Sequence, residues 1–168
     1  GSVAGYLECG DPYLLDTARA VVETTFWIHK NSWPRHAVGR DACFIRAAML
    51  LYRYLGEPGY LRIAVSAIRD VVASQRENGS FGDQGGGTGI HQWGGYISKP
   101  WMGLMAVGGL IDYLEMFSDD KADTGADGCV KRFADWLMKE RYDAEGFKGW
   151  GYQHDYNGLR KHFFGKTC

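Results

Sequence analysis

Residues 13–29 place Leu14, Leu15, Ala18, Val21, Val22, Thr25 and Phe26 on one helical stripe, with Asp16, Arg19 and Glu23 opposite. That spacing predicts an amphipathic helix with a single buried face. Residues 40–55 read differently. Ala42 to Leu55 is apolar almost throughout, interrupted by Arg46 and Arg53, which predicts a helix covered on nearly every side. The two patterns alternate. Residues 59–76 oppose Leu61, Ala64, Val65, Ile68 and Val71 to Arg62, Arg69, Asp70 and Arg76. Residues 100–117 are again apolar nearly all round, and Pro100 suits a first helical turn, where a missing N–H is no loss. Residues 125–141 return to the half-polar pattern, with Val130, Phe133, Trp136 and Leu137 against Lys131, Arg132 and Lys139. No segment alternates with period two over a useful length, so essentially no sheet is expected.

Outer, inner, outer, inner, outer predicts an all-α fold of antiparallel helical hairpins in two layers. A weak internal repeat accompanies it. Tyr6-Leu7-Glu8-Cys9-Gly10-Asp11-Pro12 resembles Tyr52-Arg53-Tyr54-Leu55-Gly56-Glu57-Pro58, and Tyr113 to Asp120 holds the corresponding place before the last helix. Glycine as a C-cap with proline just beyond it stops one helix and starts the next.

Connections of the two kinds differ in length. Gly56 to Gly59 is nearly the whole of one inner-to-outer turn, whereas Lys30–Gly39, Glu77–Lys99 and the segment from Tyr142 onward are long. Connections of one kind should emerge at one end of a helical layer, and loops on a rigid scaffold are where sites concentrate. His36, His91, His154 and His162 fall in or beside these segments, as do Trp33, Trp93 and Trp150. A common rim rich in histidine and tryptophan is therefore expected.

Composition narrows the classes. Glycine contributes 24 of 168 residues and aromatics 14%, about double the usual glycine share of ~7%, and many of these glycines fall in the aromatic-rich segments. With 19 basic against 20 acidic residues, a nucleic-acid module is disfavoured. No apolar run reaches the ~18–20 residues of a membrane span. No signal peptide is visible and Gly1-Ser2 reads as a cloning remnant, so the location stays open. Residues 3–168 are read as one domain. Cys9, Cys43, Cys129 and Cys168 lie far apart with no C-x-x-C pair, so buried thiols are expected and a zinc framework is not.

The hairpins resemble the α/α-toroid, or six-hairpin, domains of carbohydrate-active enzymes, which include glycosidases and polysaccharide lyases. The residues carrying the resemblance are the turns Leu7 to Leu14 and Leu55-Gly56-Glu57-Pro58-Gly59-Tyr60-Leu61, with Ala73 to Phe81, where an outer helix runs into a glycine-rich segment. It covers nearly the whole chain and bears on fold more than on reaction. Five full helices and the start of a sixth amount to about half a toroid, which implies a fragment of a larger chain, a further domain or a second copy completing the ring.

A carbohydrate partner asks for flat aromatics beside polar groups. Trp33, Trp93, Trp150 and Tyr152 are the candidate stacking residues, with Tyr96, Trp101 and Tyr156 behind them. Elimination on a uronic acid needs a cation on the carboxylate, a base for the C-5 proton and an acid for the leaving oxygen. The family resemblance implies His, Tyr, Asn and Arg in these roles. Candidates for proton transfer are His91, His154 and Tyr96; Arg35, His36 and Arg40 would hold substrate, unless Arg40 is paired with Asp41. No cofactor or metal is implied.

A rival reading is a glycoside hydrolase with two carboxylates flanking the scissile bond, drawn from Asp41, Asp83, Asp143, Glu145 and Asp155. Another is a non-catalytic helical-repeat domain that binds a glycan or a protein. Gly85 to Gly89 lacks the strand and Lys-Ser/Thr of a phosphate loop. Gln75 with Gly79-Ser80-Phe81 is faintly similar to terpene-cyclase repeat turns, without their aspartate-rich signature. His154-Asp155 with His162 could ligate a metal, though a structural role fits residues so placed more readily. Asn78-Gly79-Ser80 is a formal glycosylation sequon.

Overall fold

A computed structural model of the chain describes residues 2–31, 42–81, 83–85, 95–119, 122–144, 147–151, 153–155 and 161–162. The fold is all-α in its mass. Helix α1 spans Ser2–Cys9, α2 Pro12–Asn31, α3 Phe44–Leu55, α4 Pro58–Ser74, α5 Pro100–Met116 and α6 Ala126–Lys139. Each expected helix is present within a few residues of its expected ends.

The repeated turn has one physical basis in both places. Gly10 and Gly56 adopt φ of 71° and 70°, and their N–H groups bond to Tyr6 O at 2.7 Å and Tyr52 O at 2.9 Å. Only glycine takes that left-handed conformation without penalty. Pro12 and Pro58 then open the next helix, and the Asp11 carboxylate accepts the Tyr13 N–H at 2.9 Å. The third copy is built otherwise: α5 stops at Met116, and the Thr124 hydroxyl oxygen accepts the Ala126 N–H at 3.2 Å to open α6.

Helix α3 packs on α2, α4 and α5; α5 packs on α3 and α6; α1 reaches α2 and α3, and α4 touches α6. The core runs through these contacts, with Val22, Ile45, Met49, Leu51, Ile68, Val71, Leu110 and Phe133 all buried. Two glycines on α5 let helices approach closely. A Cβ at Gly109 would stand 2.7 Å from Ile45 Cβ, and one at Gly103 would stand 2.5 Å from the Phe133 ring. Polar ties join the same helices: Arg19 to Glu57 at 2.6 Å, Tyr60 Oη to Glu23 at 3.1 Å, and Arg46 to Asp112 at 2.7 Å.

Two expectations need correction. Helix α5 is not covered on every side, because Leu104 and Ile111 are exposed. Those positions are seven residues apart and share a face, so the stripe is apolar and partly open to solvent. The expectation of essentially no sheet also fails. Strands β1 (Asp83–Gly85), β2 (Gly95–Ser98), β5 (Gln153–Asp155) and β6 (Lys161–His162) form a sheet in the order β1-β2-β5-β6, while β3 (Tyr142–Ala144) and β4 (Phe147–Gly149) pair separately. Strands of two to four residues are too short to show an alternating pattern.

Candidate functional site

The four-stranded sheet gathers pieces of two long connections, the one between α4 and α5 and the one after α6. Each piece is anchored to a helix. Strand β2 runs through Lys99 directly into Pro100 at the start of α5, where Lys99 O accepts the N–H groups of Met102 and Gly103 at 3.0 and 3.1 Å.

The chain leading to β1 is tied to α6. Gln75 Nε2 donates to Gly79 O at 3.0 Å and Cys129 O at 2.9 Å, while its Oε1 accepts Arg132 Nε at 2.9 Å. Gly79 adopts φ of 89°, and a Cβ there would lie 2.2 Å from Arg132 O. Asn78 Oδ1 accepts the Ser80 N–H at 3.0 Å and its hydroxyl at 2.8 Å, so the sequon residue serves a local turn. Phe81 is then buried with its ring 5.4 Å from that of Phe133.

Strand β5 follows Trp150, whose indole N–H donates to Leu137 O at 2.6 Å. With its N–H satisfied internally, Trp150 is still 41% exposed, an arrangement suited to stacking.

The register determines which residues share a face. Ser98 stands opposite His154, and His154 opposite Lys161; Gln84 stands opposite Tyr96. Residues two apart on a strand fall on the same side, so Gln84, Tyr96, Ser98, His154 and Lys161 occupy one face. The other face carries Asp83, Ile97 and Asp155 in one cross-strand row, with Gln153 opposite His162.

Two of the three proton-transfer candidates, Tyr96 and His154, thus sit on neighbouring strands and on one face. His91, Trp93, Trp33, Arg35, His36, Arg40, Tyr152, Asp41, Glu145, Tyr156 and Asn157 lie outside the described residues. Asp143 stands apart in the β3–β4 pair, facing Arg141 at 3.3 Å and Lys148 at 3.7 Å. Ser98, Gln84 and Lys161 were not singled out by sequence reasoning. Cross-strand pairing is the signal that finds them, and residues so distant along the chain do not display it.

His29, the one histidine away from the long segments, is buried in the last turn of α2. Its Nε2 lies 2.9 Å from Asp70 Oδ2 on α4, and Lys30 pairs with the same oxygen. Its Nδ1 is buried without a partner, and the ring meets Phe44 edge-on at 5.6 Å. Packed edge-on against Phe44 and bound to a neighbouring helix, this imidazole is a packing element.

The thiols divide. Cys129 is buried, and burial pushes its pKa up to about 11, so it is inert at neutral pH. Cys9 is exposed, against the expectation of burial, because it ends a short helix beside Gly10. Burial also raises the Tyr60 phenol to about 12, assisted by its hydrogen bond to Glu23. Among the described residues no group of three His, Cys, Asp or Glu side chains is placed to hold a metal ion. Among the described residues no helix is long and apolar enough to cross a membrane. Compared with known proteins, the chain matches no family model, no curated protein and no solved structure.

Proposed function

We propose that this chain is a carbohydrate-active domain, about half of an α/α toroid, whose four-stranded sheet forms a catalytic surface for β-elimination on a uronic-acid-containing poly- or oligosaccharide. The observation that carries the reading is the register that sets Tyr96 and His154 on one face of adjacent strands. The toroid reading is supported by the contacts of α1 with α3, α3 with α5 and α4 with α6, as alternate members of successive hairpins would make.

In this scheme Arg35 and Arg40 neutralise the uronate carboxylate and so acidify the C-5 proton. One of Tyr96 and His154 takes that proton as the C4–O bond breaks and the C4–C5 double bond forms; the other, or His91, returns a proton to the leaving oxygen. Acid–base pairs of this kind typically contribute about 10²–10⁴-fold each. Trp150 offers a stacking face at the edge of α6, with Trp33, Trp93 and Tyr152 as further sugar contacts. Incubation with a panel of uronic-acid polymers tests the reading: unsaturated uronate products are expected.

A specific observation favours a second reading. Asp83 and Asp155 flank Ile97 in one row, two strand spacings or about 10 Å apart along the sheet. A glycosidase needs a pair of carboxyl groups flanking the scissile bond, and this row holds two acidic positions on one face. New reducing ends without unsaturated product would select this hydrolase, and binding without either product would select a glycan-binding module.

A further inference from the structure

Helix α2 carries, besides its buried face, an uncharged stripe that stays open to solvent. Tyr13, Ala20, Val21, Thr24, Trp27 and Ile28 recur at helical spacing along Pro12–Asn31, and all six are exposed. Tyr13 and Trp27 are 73% and 62% exposed. A contiguous run of large apolar side chains on one face marks an interaction surface, unlike apolar residues scattered singly. Charge lies along one edge of the stripe, with Asp16 near the helix start, Glu23 in the middle and Lys30 near the end, each seven residues from the next. That edge carries both signs, so it lacks the basic border of a helix that lies on a membrane.

We propose that this stripe is the pairing surface for a second copy of the chain, the two α2 helices meeting antiparallel about a two-fold axis at the level of Val22. A two-fold pair sets each stripe against itself. With the axis there, Trp27 of one copy falls over Thr17 and Ala20 of the other, a large ring above small side chains, and Val21 meets its own counterpart. Charge fixes the direction. In the antiparallel pair Asp16 of each copy faces Lys30 of the other, whereas a parallel pair would set like charge against like. Asp16 stands 3.8 Å from Arg19, and Lys30 pairs with Asp70, so these exposed groups set orientation more than affinity. Glu23 would meet Glu23 near the axis, but the hydrogen bond it accepts from Tyr60 Oη at 3.1 Å draws it toward its own α4. The 20 residues of α2 reach about 30 Å, and pairing along that length covers on the order of 1,000 Å² in total, the lower bound of a specific interface. The dimer is therefore weak, with Kd on the order of 10 µM or above. Helix α2 supplies no strand to the four-stranded sheet, so the pairing stands or falls independently of the elimination chemistry.

Sedimentation velocity on the full chain, from about 1 to about 500 µM so as to bracket such a Kd, is the test. The weight-average mass should climb reversibly from monomer toward dimer and stop there. Val21→Glu, an exposed substitution whose folding is checked by its urea midpoint, should weaken association about tenfold or more. Asp16→Lys should weaken it severalfold, and Asp16→Lys combined with Lys30→Glu should restore it. Loss followed by rescue is expected of an antiparallel pair alone, because a parallel pair sets like against like in all three chains. A wild-type chain that stays monomeric at the top of the range would overturn the proposal without any variant having to fold. Growth beyond the dimer, which marks a head-to-tail contact, would overturn it too, as would a dimer indifferent to Val21→Glu or to the charge swap. A monomer that co-sediments with phosphatidylcholine vesicles would assign the stripe to a lipid surface instead.

Discussion

The imidazole Nε2 of His29 lies 2.9 Å from a carboxylate oxygen of Asp70, joining the last turn of α2 to α4, with the ring edge-on to Phe44. Lys30 reaches the same oxygen from a far more exposed position. Asp70→Ala leaves a buried imidazole N–H without an acceptor and should destabilise the protein by about 1–3 kcal/mol. Lys30→Ala removes a part-exposed ion pair and should cost no more than about 1 kcal/mol. Urea unfolding of both variants checks the difference.

Adjacent glycines on α5 should respond with opposite sign. Gly109→Ala drives a methyl to within 2.7 Å of Ile45 Cβ, and the helices must part, at about 1–3 kcal/mol. At Gly108 the nearest atom is Arg46 Cδ at 3.3 Å, on a flexible side chain. Gly108→Ala should therefore be neutral or stabilising by up to about 1 kcal/mol, through helix propensity. Thermal unfolding separates the two, and adding Ile45→Ala should recover part of the Gly109→Ala loss.

The stop-and-restart turns were legible in the sequence because Gly10-Asp11-Pro12 and Gly56-Glu57-Pro58 spell out their backbone chemistry. Helices α2 to α6 were legible because their periodicity extends over three turns or more; α1, only eight residues long, was not among the expected helices. The exposure of Leu104 and Ile111 was not, since an apolar helix does not reveal how many neighbours it has. Tyr96 and His154 could be picked by residue type, yet their placement on one face depends on strands too short and too distant in sequence to predict. Ser98 reads from sequence as linker, and its burial comes from tertiary structure.

Gln75 should prove a structural keystone. Its amide links α4, the turn at Gly79 and α6, so Gln75→Ala strands two part-buried carbonyls and should cost about 1–3 kcal/mol. Gly79→Ala meets both a left-handed backbone and the Arg132 carbonyl at 2.2 Å, and should cost more. Because this turn leads into β1, hydrogen exchange should quicken across residues 83–85 in either variant that folds.

Alkaline stability should report Cys129. Its pKa is raised to about 11 in the fold, above about 8.5 in an unfolded chain. The neutral thiol is thus favoured by folding: this contribution is complete below about pH 8.5 and is lost as pH rises through about 11. Tyr60, raised to about 12, extends the decline. Replacing Cys129 with Ala should flatten the pH dependence of the unfolding midpoint between about 8.5 and 11. A thiol reagent at neutral pH should label Cys9 promptly and Cys129 only on unfolding.

The measurement that bears most directly on the account is the appearance of unsaturated uronate when the chain meets uronic-acid polymers. The account predicts turnover that falls about 100-fold or more in His154→Ala and in Tyr96→Phe, and that is unchanged in Trp27→Ala on the exposed face of α2. Cleavage yielding only saturated reducing ends, or elimination indifferent to His154 and Tyr96, would contradict it.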